Sequence, residues 1–114
     1  MSERNTPFLL EDILEAIRNI MDFTKGITFE AYCADVKTRH AAEHNFMIIG
    51  EAASRIPDEF KLQHSLINWR QLKDFRNVIV HDYFGIDDSI VWDIIEFSLP
   101  ELLQNITNLL NEER

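Results

Sequence analysis

The chain is poor in the residues that build disulfide-bonded, turn-rich or membrane-spanning proteins. Its 114 residues include one cysteine, three glycines and three prolines. The single cysteine, Cys33, excludes an internal disulfide and a zinc site built from cysteines, and it fits a reducing compartment. So few glycines and prolines disfavour a β fold with many turns.

Long apolar runs are also lacking. No stretch reaches the ~18 uncharged residues that a membrane span needs, and the N-terminal segment lacks the apolar region of a signal peptide. We therefore expect a cytoplasmic protein without a membrane partner. Hydrophobic residues make up 46% of the chain, enough for a core, and the length favours one domain over residues 1–114.

Basic residues are scarce overall but are not evenly spread. The net charge is −9, which disfavours a broad nucleic-acid surface. Between Lys37 and Arg76, however, the sequence contains seven Lys or Arg residues and five Asp or Glu residues. All four histidines lie between residues 37 and 81. The middle of the chain is therefore the part that can accept an anion, although solvated helix faces explain such an imbalance as well.

Apolar residues recur at three- and four-residue steps along most of the chain, which predicts amphipathic helices. The first runs from Pro7 to a stop at Gly26. Thr28 is predicted to cap a short helical turn, and Asp35 to cap a long helix that ends before Pro57. The buried side of that long helix is predicted to hold Val36, Ala41, Met47, Ile48 and Ala52.

The second half of the chain continues the helical pattern. The segment PDEFKLQHSL, residues 57–66, is predicted to be a short helical or irregular link, and Asn68 precedes a third helix that carries Trp69, Leu72, Phe75 and Ile79. Gly85 marks a break, and Asp87, Asp88 and Ser89 can begin a fourth helix. Pro100 either kinks that helix or begins a last one. The prediction is an all-α, up-and-down four-helix bundle with an extra short or kinked C-terminal helix.

One short motif resembles a metal site. HAAEH, from His40 to His44, matches the H-x-x-E-H pattern of zinc proteases, with both histidines on one helix face and Glu43 as a possible base. A five-residue match is weak evidence, and a chain of this length leaves little room for a third ligand and a substrate cleft. We prefer two helix histidines near an anion site and predict no metal.

The stretch RNVIVHDY, residues 76–83, carries the residues best suited to chemistry. Arg76 offers a charged fork for a phosphate, His81 can exchange a proton near neutral pH, and Tyr83 has a phenolic oxygen that can bind phosphate or act as a nucleophile. Together these groups suit cleavage of a phosphodiester without a metal. The competing interpretation is an ordinary helix C-terminus, with His81 near its carbonyls and Tyr83 packed on a neighbour.

Helix geometry limits how these residues can meet. At about 100° per residue, Arg76 and Tyr83 project nearly together, whereas Arg76 and His81 diverge by roughly 140°. Asn77 and His81 are neighbours at i,i+4. Either the helix ends or bulges near His81, or two copies of the motif meet across a dimer.

The spacing Arg76-x-x-x-x-His81-x-Tyr83 resembles the R-x4-H-x-Y signature of the HEPN superfamily, in particular its HepT-like branch. Other pieces fall in the expected order, among them FLLEDILEAIRNI, FMIIGEAASRIPDEF and INWRQLKDFRNVIVHDYFGID. The resemblance covers nearly the whole chain and is most specific between Trp69 and Trp92.

This resemblance implies a HEPN-like helical homodimer whose two motifs share one cleft. It also implies a metal-independent RNase that is the toxin of a toxin–antitoxin pair, with RNA, tRNA being one candidate, as its substrate. Arg76 would orient and neutralise the phosphate, His81 would act as acid or base, and Asn77 would support the site. An MntA-type nucleotidyltransferase antitoxin would silence the toxin by using ATP to AMPylate Tyr83.

A second hypothesis belongs to another functional class. The same residues could grip a phosphate without cleaving it, which would make the chain a non-catalytic dimeric nucleotide-binding or scaffold subunit of a two-component nucleotidyltransferase. Arg76, His81 and Tyr83 together favour the enzyme, because binding alone needs no titratable base. A plain interaction bundle is the third and least supported interpretation.

Overall fold

A computed structural model describes the backbone of residues 5–82 and 88–113, and the side chains of residues 5–76 and 88–113. Every regular element within these ranges is helical. The helices are α1 (Thr6–Thr24), α2 (Phe29–Ala34), α3 (Val36–Arg55), α4 (Asp58–Gln63), α5 (Trp69–Asp82), α6 (Asp88–Asp93) and α7 (Leu99–Glu113), and a π-helical turn (Ile94–Ser98) joins the last two. The predicted all-α class is confirmed, whereas the up-and-down order and the homodimer stay predictions.

Side-chain caps begin the helices where the sequence predicted them. The Thr28 hydroxyl accepts from the backbone N–H of Ala31 at 3.1 Å at the start of α2. The Asp35 carboxylate accepts from the backbone N–H of Thr38 at 3.1 Å and from its hydroxyl at 2.6 Å at the start of α3. That hydroxyl bond lowers the pKa of Asp35, because it favours the ionised form. Asn68 caps α5 in the same way.

The predicted buried side of α3 is wrong. Val36 and Met47 are exposed, at 51% and 44% of their surface, and of the five predicted residues Ala52 alone is buried. The residues that α3 buries are Ala42, Glu43, Asn45, Phe46, Ile49, Gly50, Ala52 and Ala53. The buried stripe consists largely of small and polar residues, which hydrophobic periodicity does not detect.

The core forms where the longer helices pack side by side. Helix α3 packs against both α1 and α5, and α7 packs against α1. Phe46 of α3 and Phe75 of α5 meet edge to face, with ring centroids 5.3 Å apart, a favoured aromatic geometry. Both rings are 2% exposed, so this pair fixes how α5 lies on α3.

One turn further along α3, a glycine allows the two helices to approach closely. A Cβ built on Gly50 would lie 2.2 Å from Cγ of Arg76 and 3.2 Å from its backbone nitrogen. A larger residue at position 50 would require the Arg76 side chain to move and the α5 backbone to give slightly. The glycine therefore places Arg76, the first residue of the motif, directly against α3.

The C-terminal part of the chain stays helical from Asp88 to Glu113 within the described residues. The π-helical turn lies immediately before α7, whose second residue is Pro100. A proline ring clashes with the carbonyl four residues earlier, here that of Glu96 inside the π turn. The wider turn gives Pro100 room, so the chain continues where the sequence predicted a kink or a new helix.

No described helix combines the length and the apolar character that crossing a membrane requires.

Replacing Gly50 with alanine should destabilise the protein through Arg76. Overpacking costs about 1–3 kcal/mol, whereas the gain in helix propensity is at most about 1 kcal/mol. We expect a net loss of about 1 kcal/mol in the free energy of unfolding, measured by urea denaturation.

A double-mutant cycle with Arg76→Ala isolates the contact. Truncation at Arg76 removes the Cγ that the new methyl group meets, so Gly50→Ala should cost less, or even stabilise, in that background. An equal cost of Gly50→Ala in both backgrounds would show that the Arg76 side chain is not what limits space at position 50.

Candidate active site

The motif residues lie on α5 and just beyond it. Arg76 is exposed on α5. The backbone of Asn77 and His81 belongs to the same helix, which continues through Asp82, but their side chains lie outside the described residues, as does the whole of Tyr83. The helix therefore does not end before His81, and Arg76 and His81 lie on one continuous helix.

Arg76 is held by a carboxylate that the sequence interpretation missed. Its Nη1 lies 3.3 Å from Oε2 of Glu51, and the other carboxylate oxygen, Oε1, accepts from Nη2 of Arg55 at 3.1 Å. Glu51 thus bridges two guanidinium groups, one from α5 and one from the end of α3. The side chains of Arg76 and Glu51 are 45% and 47% exposed, so the cluster is open to a ligand.

A depression of about 320 Å³ lies beside this cluster, at the lower end of the volumes typical of ligand pockets. Its described lining comes from α1, α3 and α5. The apolar part consists of Leu9, Met47, Ile48 and Ala52, and the polar part consists of Asp12, His44, Glu51, Arg55 and Arg76. The two arginines balance the two carboxylates in formal charge, so the lining offers directed donors rather than a strongly positive surface.

Two of these polar residues were detectable in the sequence only as a local pair. Glu51 and Arg55 have the i,i+4 spacing of an ordinary helix-surface ion pair, which is why they attracted no functional interpretation. What distinguishes them is the contact with Arg76, and that contact exists only because Gly50 lets α5 approach α3.

The zinc-protease pattern has no matching geometry in the described part of the chain. His40 and His44 are exposed, and Glu43 is buried. No group of three or more His, Cys, Asp or Glu side chains among the described residues is arranged to hold a metal ion. His44 instead lines the depression beside Arg76.

Cys33 does not belong to this site. It lies on α2 and does not line the depression. Desolvation, followed by the negative charge of Asp88, raises the pKa of its thiol. The thiolate is the nucleophilic form of cysteine, and a raised pKa disfavours it.

Comparison with known proteins places the chain in a family. A family model described as "Ribonuclease HepT-like" matches residues 13–109. The chain belongs to the HepT-like ribonuclease family. Membership confirms the predicted HepT-like resemblance and the expectation of an enzyme of ribonuclease type. The matched region includes Gly50, Glu51, Arg55 and Arg76.

Individual HepT-like relatives align over most of the chain. A protein of Thermococcus cleftensis named "Probable ribonuclease HepT" is 42% identical over 93 residues, which are 82% of this chain and 84% of that protein. A Methanocaldococcus jannaschii protein named "Putative RNase MJ0127" is 31% identical over 112 residues, which are 98% of this chain and 93% of that protein. No solved structure matches the chain.

The bridging carboxylate should weaken anion binding at the candidate site. In the variant Glu51→Gln, we expect affinity for inorganic phosphate to rise about three- to tenfold at low salt, because a unit charge a few ångströms away is worth about 1 kcal/mol in a mostly aqueous setting. Phosphate titration monitored by NMR of the arginine Nε–H groups measures this. Glu101→Gln, exposed on α7 and outside the lining, is the matched control, and equal affinities in the two variants would contradict the expectation.

Proposed function

We propose that this chain is a metal-independent endoribonuclease that uses Arg76 and His81, and that residues 1–114 act as one HepT-like domain in the cytoplasm. The observation that carries the proposal is Arg76: the motif arginine lies at the edge of an open depression, oriented by Glu51, in a chain that belongs to a ribonuclease family. A guanidinium has five N–H donors, so it can hold a carboxylate and a phosphate at once.

The proposed reaction uses the substrate's own 2′-hydroxyl. His81 takes the 2′-OH proton as the 2′ oxygen bonds to phosphorus and the P–O5′ bond breaks, and the departing 5′ oxygen takes a proton from a general acid. Arg76 stabilises the negative charge that builds on the phosphoryl oxygens. The products are a 2′,3′-cyclic phosphate and a 5′-hydroxyl end, and Asn77 supports the site.

The helix geometry supports the proposed homodimer. Positions 76 and 81 are five residues apart on continuous α5, which places them about 140° apart around its axis. In the proposed dimer, Arg76 of one protomer and His81 of the other act on the same phosphate.

The first experiment measures RNA cleavage in EDTA. We expect the parent protein to cut single-stranded RNA and leave 2′,3′-cyclic phosphate ends, and Arg76→Ala and His81→Ala to lower the rate about 10²-fold or more. Arg70→Ala, an exposed arginine on the same helix, should retain the parent rate. Parent-like cleavage by Arg76→Ala and His81→Ala would remove the nuclease proposal and favour a nucleotide-binding or scaffold subunit.

Mixing the two inactive variants tests the shared cleft within the same assay. A heterodimer of Arg76→Ala and His81→Ala protomers contains one composite site with both side chains intact, so up to about a quarter of the activity should return after exchange of subunits. No recovery, despite demonstrated exchange, would assign both residues to a site within one protomer.

We further propose that the chain is a toxin silenced at Tyr83 by an MntA-type nucleotidyltransferase antitoxin. The tyrosine oxygen attacks the α-phosphorus of ATP, pyrophosphate leaves, and the phenolic proton passes to a base of the partner. The resulting AMP group adds bulk and negative charge seven residues from Arg76, which opposes phosphate binding by sterics and by repulsion.

Intact-mass analysis with and without the partner tests this modification. We expect AMP-sized additions only after co-expression with the nucleotidyltransferase, mapped to the peptide that contains Tyr83, together with loss of RNA cleavage. Tyr83→Phe should stay unmodified. An active partner that leaves Tyr83 unmodified would remove the antitoxin mechanism and leave the ribonuclease proposal in place.

A further inference from the structure

The depression beside Arg76 combines features that suit a nucleotide rather than a phosphate alone. Leu9 and Ala52 are buried beneath it, at 2% and 5% exposure, whereas Met47 leaves 44% of its surface exposed at the edge. Exposed methionine beside buried aliphatic residues offers a polarisable apolar surface of the kind on which flat ring systems pack. A phosphate alone would gain nothing from this apolar surface.

A second guanidinium extends the site away from the motif. Arg55 ends α3 and lies on the opposite oxygen of the carboxylate that holds Arg76. Its side chain is 63% exposed, so a ligand can reach it. The Glu51 carboxylate thus lies between the two guanidinium groups, and both groups border the same apolar depression.

We propose that this depression is a binding subsite for the nucleotide adjacent to the scissile phosphate of an RNA strand. The base packs on Met47 and the partly exposed Ile48, above the buried Leu9 and Ala52. Arg55 binds the next phosphate along the strand while Arg76 binds the scissile one. Arg55 is then a substrate-positioning residue and not a catalytic one. This inference rests on the proposed ribonuclease function.

The subsite also fits the charge of the protein. A chain with net charge −9 has little long-range attraction for RNA, and sequence-independent binding ordinarily depends on many cationic contacts. An apolar surface for one base, with two directed arginine forks, gives short-range recognition that needs few cations. Base–side-chain stacking of this kind tolerates any base, since each has a flat face.

Binding of a 2′-O-methyl RNA oligonucleotide, which cannot be cleaved because its 2′ oxygens are blocked, tests the subsite directly. We expect Arg55→Ala to raise Kd about five- to tenfold at ~0.1 M salt and to reduce the slope of log Kd against log salt by about 0.7, the value for one phosphate contact on a single strand. Arg55→Lys should keep most of that salt dependence while losing part of the affinity, because it retains charge but not the fork. Arg70→Ala is the matched control.

The apolar surface is tested separately with Met47→Glu, which places a carboxylate where the base would pack. We expect Kd to rise about tenfold, against little change for Val36→Glu, an equally exposed apolar residue of α3 outside the depression. Both positions are exposed, so the variants should fold, and thermal unfolding verifies this. An oligonucleotide in which one nucleotide lacks its base should bind the parent protein more weakly than the intact oligonucleotide does. The variant Met47→Glu should bind the two oligonucleotides equally well.

The outcomes separate this inference from the nuclease proposal. If the parent cleaves RNA but Arg55→Ala and Met47→Glu match their controls in Kd and salt slope, the subsite is overturned and the ribonuclease stands. If the parent binds the oligonucleotide with the expected dependence on Arg55 and Met47 but cuts no RNA, the subsite stands as a nucleotide-binding site and the ribonuclease proposal fails.

Discussion

The close approach of α3 and α5 at Gly50 is the contact on which the candidate site depends. The missing side chain at position 50 lets the backbone of Arg76 come within 3.2 Å of the place a Cβ would occupy, and the Phe46–Phe75 pair one turn away holds the two helices in that position. Because Glu51 follows Gly50 in the chain, the same approach brings its carboxylate to the guanidinium of Arg76. Packing and electrostatics at the site therefore have one common cause.

The ion pairs around Glu51 are better explained by orientation than by stability. Pairs as exposed as these contribute about 0–1 kcal/mol to folding, much less than the neighbouring core residues, several of which are fully buried. Their effect is geometric, since a carboxylate between two guanidiniums holds both arginines at the border of one depression. A phosphate that arrives there meets donors that are already positioned, which lowers the cost of ordering them.

The positions of the helices were predictable because their determinants are local. Thr28, Asp35 and Asn68 cap helices through bonds to residues three positions later, and Gly26, with φ +76°, follows the end of α1. The buried face of α3 was not predictable in this way. Its core stripe depends on which partners approach it, and the close approach of α5 selects glycine at position 50 over larger apolar residues.

In the candidate site, too, local features were predictable from the sequence and tertiary contacts were not. The motif pointed to Arg76 because spacing along one helix can be read from the sequence. Glu51 and Arg55 are recognised as part of the site only through the contact of Glu51 with Arg76, which lies 25 residues further along the chain. Met47 and Ile48 show why part of the α3 prediction failed: they were assigned to the buried side because they are apolar, yet Met47 is exposed, Ile48 is only partly buried, and both line the depression next to Arg76. Hydrophobic periodicity does not distinguish an apolar side chain at the edge of a depression, such as Met47, from one in the core.

The continuity of α5 gives the site its last constraint. Since the helix runs unbroken through Asp82, positions 76 and 81 remain about 140° apart around its axis, and the face at Arg76 is the one that meets α3. In the proposed enzyme, a single protomer therefore supplies the arginine, the oriented carboxylate and the nucleotide subsite, while the acid–base group comes from a second copy. Substrate binding and cleavage would then respond differently to dilution, because binding needs one chain and cleavage needs two.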